Sequence, residues 1–452
     1  MRQNDALAHP SDWTVKTVKE AVEIRRGLSW SKDQESDHPR DGAVPVLRIG
    51  NIQDRLDLSD ILYVTGVPEK AKTIKNAEKG WSIIVGSNGN RNRVGNAVFQ
   101  SEDTDFLFAS FLIAAKPREG GGILPEFFYR WLCAHEIQSR LSASSEGTTG
   151  LSNLSHNFFK AMEIAFPEEW EQQEIVRILD AVDAAIDRTR TAIDQARRLA
   201  KSVLQKFIES GVCRISAADR PGTSLADGWR LVPTADLLAC EPKNGISPPA
   251  ETRPPGYPTF SIAAVRDGRI NLMDEKHRKY VRIRPELAAE HAVRRGDLLI
   301  VRGNANPELV GCCGIVSDFP EDCIYPDILK RIVLKNGDCG VLPQYAVLVW
   351  NHHVIHNQIL KRAKTSTGTL KINSRDVKQI IMPVPPLASQ EKIVTIFKAI
   401  ELHEQALKTS LSTQERLKRG LMQNLLTGRV RVKQVKPQTA EPEQLALPFE
   451  AA

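Results

Sequence analysis

The sequence has few cysteines and no paired cysteine motif. Its seven cysteines are an odd number, no two of them form a CxxC pair, and only Cys312 and Cys313 are adjacent. Disulfide frameworks and zinc cages need cysteines paired at short, regular spacings. We therefore expect reduced thiols and no metal bound by this chain.

Long apolar runs are also missing. No stretch approaches the roughly 20 apolar residues that a bilayer-spanning helix needs. The first residues, MRQNDALAHPSDW, lack the apolar core of a signal peptide. The sequence predicts a cytoplasmic protein that makes no contact with a membrane.

Motifs for methyl transfer and for nucleotide hydrolysis are absent as well. An adenine methyltransferase needs a [DNS]PP[YFW] loop to hold the flipped base, and the closest approach, Ser247-Pro248-Pro249, is followed by Ala250. No FxGxG-like turn for S-adenosylmethionine occurs, and the lack of any Gly-Lys dipeptide excludes a Walker A loop. We expect neither methyl transfer nor ATP-driven movement from this chain by itself.

What is present is ordinary for a globular protein. The 452 residues suffice for two or three domains, and 41% are hydrophobic and 26% charged. The net charge of +6 is mild for this length. Composition therefore permits nucleic-acid binding without requiring it.

An internal repeat is the strongest feature of the sequence. A shift of 218 residues aligns 148–212 with 366–430 without a gap and gives fourteen identities in sixty-five positions, where chance would give roughly four. With small gaps the match extends towards the N-terminus, pairing Trp13 with Trp229 and Gly27 with Gly245. The chain is therefore two similar halves in tandem.

Each half has the same predicted order of elements. Short apolar runs such as SIIV and LLIV, broken by Gly, Asn and Pro, predict strands, and one helix follows at Leu124–Leu141 or Pro343–Arg362. A Ser/Thr/Gly loop and a short strand precede a long helix at about Glu171–Glu209 or Ser389–Leu426. The predicted fold class is α+β: two tandem repeats, each a globular mixed α/β domain followed by a long helix.

The two long helices carry apolar residues at spacings of three and four, which predicts a seam that needs a partner helix. Acidic residues lie in the first half of each helix and basic residues in the second half, so antiparallel pairing places opposite charges side by side. We predict an antiparallel coiled coil, and the alternative is a seam filled by another subunit. The predicted seam residues are Ile175, Ile178, Val182, Leu199, Ile393, Ile396, Ile400, Leu417 and Leu421.

Antiparallel helices have a consequence for function. Two similar domains joined by such a pair are related by an approximate two-fold axis, as are the two halves of many DNA sites. The halves of this chain differ in sequence nearly everywhere outside the long helices. We therefore expect a protein that reads two unequal DNA half-sites separated by a fixed gap.

Several segments resemble, in order, the specificity subunit of type I restriction-modification enzymes. They include VPVLRIGNIQD, YPDILKRIVL, TSTGTLKIN, IMPVPPLASQEKIV and LKRGLMQNLLTGRVRV. The resemblance covers almost the whole chain. It implies two target-recognition domains, at residues 1–167 and 213–387, and two conserved spacer helices, at 168–212 and 388–432.

The resemblance also implies partners. They are double-stranded DNA, two methylation subunits and, in the full complex, motor-nuclease subunits. S-adenosylmethionine, ATP and Mg would then act through the partner subunits, with no cofactor bound by this chain. Residues 433–452, rich in Pro, Gln, Glu and Ala, are expected to form a flexible tail.

The DNA-reading residues are predicted after the paired strands SIIV and LLIV, because Arg, Asn and Lys side chains on such loops can reach base edges. The alternative is that the asparagines only form tight turns. The Ser/Thr/Gly loops and nearby cations could hold phosphates, although Thr148 and Thr367 could equally cap helices. The predicted DNA-binding residues are Asn88, Asn90, Arg91, Asn92, Arg93, Lys160, Arg302, Asn304, Asn306, Lys371 and Arg375.

Two other patterns suggest chemistry and are weaker. Asp327, Asp376 and Lys378 fit a loose nuclease pattern, but the first half has no acids at the equivalent positions. His352 and His356 form HxxxH without the glutamate of HExxH, so we expect partly buried structural histidines. The predicted function is a non-catalytic DNA-specificity subunit. The alternatives are a metal-dependent nuclease acting alone and a helical scaffold that does not bind DNA.

Overall fold

The structure of the protein is a computed structural model. It describes residues 9–148, 150–212, 228–266, 268–270, 272, 278–317, 319–320, 322–335, 340–366 and 368–433. Thr367 and the predicted tail after residue 433 lie outside the described residues.

Helices and strands are interspersed along the chain in a similar order in both halves. The helices are α1 (Val18–Ala21), α2 (Glu69–Ile74), α3 (Pro125–Leu132), α4 (His135–Ala143), α5 (His156–Ala161), α6 (Glu169–Val212), α7 (Thr234–Leu237), α8 (Pro285–His291), α9 (Pro343–Trp350), α10 (His353–Arg362), α11 (Ser374–Lys378) and α12 (Leu387–Leu425). The strands of the first half are β1 (Thr14–Thr17), β2 (Val22–Arg26), β3 (Glu35–Ser36), β4 (Val44–Leu47), β5 (Leu62–Val64), β6 (Ser82–Val85), β7 (Ser87–Asn88), β8 (Ala97–Phe99), β9 (Leu107–Phe108), β10 (Leu112–Pro117), β11 (Glu146–Thr148), β12 (Leu151–Asn153) and β13 (Glu163–Phe166). Those of the second half are β14 (Arg230–Pro233), β15 (Lys243–Asn244), β16 (Ala250–Glu251), β17 (Tyr257–Phe260), β18 (Val265–Arg266), β19 (Arg269–Ile270), β20 (Arg278–Val281), β21 (Leu298–Val301), β22 (Gly303–Asn304), β23 (Cys313–Ile315), β24 (Leu329–Ile332), β25 (Lys364–Ser366), β26 (Thr369–Lys371) and β27 (Ile381–Val384).

The chain forms two compact units. Unit 1 consists of residues 1–190 and 409–452, and unit 2 consists of residues 191–408. Each unit therefore contains one globular part, a segment of α6 and a segment of α12. The predicted boundaries at residues 167, 212, 387 and 432 remain a prediction.

The sheets of unit 1 are mostly antiparallel. Strands β2-β10-β6-β8 form one four-stranded sheet, and β3-β5-β4-β9 form another in which β4 and β9 are parallel. Strands β11-β12-β7 form a small third sheet, and β1 pairs with β13 with Thr14 opposite Phe166. The buried run SIIV of β6 forms a central strand, as its continuous apolar pattern predicts.

Unit 2 has a similar arrangement, with one larger and one smaller main sheet. Strands β15-β24-β21-β23-β19-β18 form a six-stranded sheet, and β16-β20-β17 form a three-stranded one. Strands β22-β26-β25 correspond to the small third sheet of unit 1, and β14 pairs with β27 with Arg230 opposite Val384. The two predicted α+β repeats are therefore confirmed.

Both units bury the start of one long helix and the end of the other. In unit 1, Ile175 and Leu179 of α6 join a core that also contains Met422 and Leu425 of α12. In unit 2, Ile393 of α12 joins a core that contains Ile208 of α6. Apolar burial of this kind is the main stabilising term for such helices.

Each long helix is anchored by a buried glutamine near its first turn. The Gln172 amide oxygen accepts a hydrogen bond from the Leu124 backbone N–H at 2.9 Å, and its amide nitrogen donates to the carbonyls of Gly122 and Pro167 at 2.7 and 2.9 Å. Gln390 makes the equivalent three hydrogen bonds to Leu342, Gly340 and Pro385. Both glutamines are fully buried. The proline and glutamine that recur in both halves of the sequence therefore mark the same junction between the globular part and the long helix in each unit.

Ion pairs give the direction of the helix pair within each unit. In unit 1, Asp183 of α6 pairs with Lys418 of α12 at 2.6 Å, and Arg190 pairs with Glu415 at 2.9 Å. The residue numbers rise along α6 as they fall along α12, so the two helices are antiparallel. In unit 2, Arg197 of α6 pairs with Glu404 of α12 at 2.9 Å. The prediction that acidic and basic helix halves face each other is confirmed in this antiparallel pairing.

The buried face of α6 differs from the predicted seam. Leu179, Ile186 and Ile193 are buried and recur every seven residues, as in a coiled coil. Among the predicted seam residues, Ile175 and Ile393 are buried, and Ile178, Val182, Ile400 and Leu421 are half-buried. Leu199, Ile396 and Leu417 are instead 54%, 37% and 53% exposed and lie outside the face that is buried within the chain, so their place in a seam remains a prediction.

The single helix predicted in the middle of each half is broken in two. The first breaks between α3 and α4, where Ala134 adopts an extended backbone with ψ of 138°. The second breaks between α9 and α10, where His352 is extended and its side chain accepts a hydrogen bond from the Val354 N–H. The long helices begin two residues before their predicted starts and end within three residues of their predicted ends.

Hydropathy gives no sign of a transmembrane helix. Within the described part of the chain, every helix is either too short or too polar to cross a bilayer.

Candidate nucleic-acid interface

The predicted reading loops follow β6 in unit 1 and β21 in unit 2 and share one turn framework. In unit 1, the Asn88 side chain accepts from the Asn90 N–H at 2.7 Å, and the Asn90 side chain accepts from the Asn92 N–H at 3.1 Å. In unit 2, Asn304 and Asn306 make the same contacts at 2.9 and 3.0 Å. These four side-chain oxygens therefore shape the turns, which leaves their amide nitrogens as the groups available to a ligand.

The residues that follow these asparagines differ between the units. Positions 91 to 93 are Arg-Asn-Arg in unit 1, and the equivalent positions 307 to 309 are Pro-Glu-Leu in unit 2. Arg91 donates to the Ser142 carbonyl at 2.7 Å and to the Ala143 carbonyl at the end of α4. Its guanidinium thereby satisfies carbonyls that the helix end leaves unpaired.

Arg93 is also engaged inside unit 1. Its guanidinium donates to the carbonyl of Ile52 at 2.6 Å and lies near the Gln53 side chain at 3.3 Å. Asn92 is exposed between the two arginines. Arg91 and Arg93 thus brace the loop, and Asn92 is its outward side chain.

Small sheets bring the reading loops and the Ser/Thr/Gly loops together. In unit 1, β7 pairs with β12 and places Asn88 opposite Ser152. In unit 2, β22 pairs with β26 and places Gly303 opposite Lys371 and Asn304 opposite Leu370. Two sets of residues that are far apart in sequence therefore form one surface in each unit.

Short helices extend this surface with positive charge. Lys160 on α5 and Arg375 on α11 are both exposed. Burial, and then the charges of Arg26 and Lys160, lower the pKa of His156 on α5. Arg26, at the end of β2, therefore acts on the same helix that carries the predicted cation Lys160, and the sequence reasoning missed it. In the sequence, the only hint of a role for Arg26 was that it directly precedes Gly27, the residue that the internal repeat pairs with Gly245.

A cavity of about 820 Å³ opens beside the reading loop of unit 1. Its lining includes Trp30, Arg48 and the half-exposed Phe111. The Phe111 carbonyl accepts hydrogen bonds from the N–H groups of Gly86 and Ser87, which begin the reading loop. The cavity thus places aromatic rings and a guanidinium next to the predicted interface.

The residues of the nuclease pattern have separate partners. Asp327 accepts from the Ser247 hydroxyl at 2.7 Å, and Asp376 accepts from the Asn373 N–H in a helix cap at 2.8 Å. Lys378 pairs with Glu241 at 2.8 Å. These contacts are structural, and within the described ranges no cluster of three metal-binding side chains occurs.

The histidines of the HxxxH pattern lie at the start of α10. His352 is buried, caps the helix and lies 2.8 Å from the Gln205 side-chain oxygen. Burial, and then the charge of His353, lower its pKa to about 4. His352 is therefore a neutral structural residue near pH 7, as the sequence predicts.

Together, the fold and the surface define a class of protein, a tandem repeat of two globular parts that are each followed by a long helix. Each globular part carries polar loops on a small sheet and cations on short helices. The chain belongs to the type I restriction modification DNA specificity domain family, whose model matches residues 10–197 and 227–414. The two matches coincide with the two halves of the internal repeat.

Individual relatives are distant but cover most of the chain. The EcoKI type I restriction enzyme specificity subunit of Escherichia coli strain K12 is 23% identical over 435 residues, which are 93% of this chain and 89% of that protein. The StySPI specificity subunit of Salmonella potsdam is 21% identical over 388 residues, or 85% of this chain and 81% of that protein.

Solved structures show the same fold. A chain from structural work on complex assembly and conformational transition of the type I R-M system has a TM-score of 0.53 and 17% identity, and the match covers 93% of this chain and 99% of that one. The S subunit of a type I restriction-modification system from M. genitalium has a TM-score of 0.51 and 14% identity, covering 94% and 98%.

Family membership also settles the kind of activity to expect. The chain is a specificity subunit with two target-recognition domains, and such subunits are the non-catalytic members of type I restriction systems. The predicted family and the prediction that the chain is not itself an enzyme are confirmed.

Proposed function

We propose that this chain reads a bipartite, asymmetric site in double-stranded DNA, with one half-site for each unit. The observation that carries the proposal is the pair of reading loops. Asn88 and Asn90 in unit 1 and Asn304 and Asn306 in unit 2 build the same turn, while the residues around them differ. A shared framework with different side chains is what two unequal half-sites require.

Within this proposal the predicted residues take two roles. Asn92 and Arg302 are base-reading candidates, because Asn92 is exposed and Arg302 replaces a glycine of unit 1 at the start of its loop. Lys160, Lys371 and Arg375 are phosphate contacts that fix the position of each unit on the duplex. Arg91 and Arg93 support the reading loop through hydrogen bonds to backbone carbonyls, and they contact DNA at most through the guanidinium N–H groups that these bonds leave free.

Two methylation subunits are the proposed partners of the long helices, with motor-nuclease subunits joining in the full complex. In unit 2, Leu199 and Leu402 are 54% and 64% exposed, and in unit 1 Leu417 is 53% exposed. Apolar residues that recur on the outer faces of long helices favour docking of further helices. S-adenosylmethionine, ATP and Mg²⁺ are proposed to belong to these partners.

The direct test is to co-express the chain with its methylation subunit and to map N6-methyladenine in the host DNA at base resolution. We expect a single motif of two defined parts separated by a fixed gap. A stable complex that methylates no defined motif would contradict the proposal and would favour the scaffold alternative. The charge-introducing variants Leu199→Glu and Leu402→Glu should release the partner, whereas Lys392→Glu, at an exposed position of α12, serves as the control.

DNA binding by the purified chain separates the alternatives. A sequence preference whose affinity falls steeply with salt is expected from phosphate neutralisation. Cleavage by the purified chain with Mg²⁺, abolished by Asp327→Asn, would instead support the nuclease.

A further inference from the structure

Unit 2 contains a buried lysine that is held by an amide and a hydroxyl. Lys330 on β24 is only 2% exposed. Its ammonium donates to the Asn244 side-chain oxygen at 2.5 Å and to the Ser374 hydroxyl at 2.9 Å. Among the described residues, no carboxylate forms an ion pair with it. A buried ammonium needs acceptor oxygens, and here they come from an amide and a hydroxyl.

The contact fixes which way the Asn244 amide faces. An ammonium has three N–H donors and no acceptor, so it can bond only the amide oxygen of Asn244. Asn244 itself is exposed on the short strand β15. Its NH₂ group must therefore point away from Lys330 towards solvent.

The backbone beside Asn244 is equally constrained. Asn244 lies directly opposite Lys330 in the β15–β24 pair. A Cβ on the next residue, Gly245, would lie 2.1 Å from the carbonyl oxygen of Tyr325, in the segment just before β24, so the two backbones approach too closely there for any other residue. The amide is thus held on a rigid element, which favours precise readout over adaptable contact.

Asn244 also joins the candidate interface of unit 2. The Ser374 hydroxyl that shares the ammonium belongs to α11, the helix that carries Arg375. The charge of Arg302, in the reading loop, acts on Lys330 and, after burial, lowers its pKa. The Arg302 backbone N–H donates to the carbonyl of Ile328, two residues before Lys330, at 2.8 Å, so the buried Lys330 links the exposed Asn244 to the reading loop.

The equivalent position in unit 1 has the same kind of outward group. There the residue before the close-packed glycine is Arg26, also exposed, and it lies opposite Ile113. A guanidinium carries donors only, and so does the outward face of Asn244. Both units therefore present donors at this place, one from an arginine and one from an asparagine oriented by a lysine.

Resting on the proposed function, we propose that Asn244 is a specificity-determining residue that Lys330 holds in a donor-only orientation, so that it reads an acceptor on a base edge. A free asparagine pairs with adenine by using both its oxygen and its nitrogen. With its oxygen occupied, Asn244 offers only N–H donors, which suit the two acceptors N7 and O6 of guanine or O4 of thymine but meet the N6–H₂ donor that lies beside N7 in adenine. Lys330 is a positioning residue in this arrangement and does not touch DNA.

The test is a methylation map of variant complexes, all with the methylation subunit present. Asn244→Asp keeps the contact to Lys330 but turns an acceptor outward, so one position in one half of the motif should shift towards cytosine, with at least a tenfold loss at the original motif. Lys330→Met frees the amide, and the same position should then accept adenine. Asn357→Asp, the same substitution on an exposed residue of α10, should leave the motif unchanged.

Each outcome has a definite meaning. An unchanged motif with Asn244→Asp would overturn the inference while leaving the proposed function in place. A uniform loss over all bases would mark Asn244 as a phosphate contact and would also overturn it. A wild-type complex with no motif would remove the proposed function and this inference together. If Asn244→Asp fails to fold, Asn244→Ala decides, because removal of the amide without added charge should make that one position degenerate.

Discussion

The buried glutamines allow a prediction that can be repeated within one molecule. Gln172→Leu removes an amide of similar size that joins the first turn of α6 to the start of α3 and to the end of β13. The variant leaves the Leu124 N–H and the carbonyls of Gly122 and Pro167 without this partner. Gln390→Leu makes the same change at the equivalent joint of unit 2.

The magnitude follows from the three hydrogen bonds. An unpaired buried donor costs about 1 to 3 kcal/mol, and each lost hydrogen bond to a carbonyl removes about 1 kcal/mol more. The leucine side chain recovers part of this through apolar burial. We expect a net loss of about 2 to 4 kcal/mol in the free energy of unfolding of the affected unit.

Hydrogen exchange followed by mass spectrometry locates the effect, which matters because a two-unit protein need not unfold in one step. Gln172→Leu should speed exchange in the peptide around Leu124 by at least tenfold, since tenfold corresponds to about 1.4 kcal/mol. The peptide around Leu342 should respond only to Gln390→Leu.

Gln173→Leu is the matched control for this prediction. Gln173 is the exposed neighbour of Gln172 and contacts only the exposed Glu169 side chain at 3.1 Å. Its replacement should change stability by less than about 0.5 kcal/mol. Equal exchange in Gln172→Leu and Gln173→Leu would refute the reasoning from the buried amide.

Two further predictions concern single units. Arg431→Gln should destabilise unit 1 by about 2 to 3 kcal/mol in urea unfolding, because it removes the two hydrogen bonds that hold the buried Glu171 carboxylate at 2.7 and 2.8 Å. The control is Arg429→Gln, at an exposed position. Equal urea midpoints for the two variants would contradict the prediction. Burial, and then the charge of His353, lower the pKa of His352 from 6.5 to about 4. As the pH falls, the histidine is therefore protonated in the unfolded state before it is protonated in the folded state. The contribution of neutral His352 to the stability of unit 2 should be fully present above pH 6.5 and should be lost as the pH drops towards 4. His352→Gln should flatten that pH dependence while exposed His403→Gln should not, and an unchanged slope with His352→Gln would count against it.

The organisation of the chain could be predicted from sequence because repetition supplied an internal comparison. The joint at Gln172 reappears at Gln390 with the same three kinds of partner. The breaks at Ala134 and His352 could not be predicted in the same way. One extended residue interrupts a helix while leaving the apolar spacing on either side almost unchanged.

Details of the candidate interface were out of reach for a different reason. Arg91 and Arg93 donate to backbone carbonyls that lie 41 to 54 residues away along the chain, and no local sequence pattern predicts these contacts. Leu199 lies at the same spacing of three and four residues as the buried residues of α6, so the spacing alone does not show that it is exposed. The buried face of the helix is marked instead by the seven-residue repeat of Leu179, Ile186 and Ile193. No sequence pattern singled out Asn244, because Lys330, which orients its amide, lies 86 residues later in the chain.

The central claim is that each unit reads its own half of one DNA site, and exchanging one loop at a time tests it most directly. Residues 88–93 would be replaced in one variant and residues 302–309 in another, and N6-methyladenine would be mapped for both complexes. We predict that each variant alters or loses a different half of the motif and leaves the gap and the other half intact. Loss of both halves by either replacement, or of neither by both, would contradict the claim.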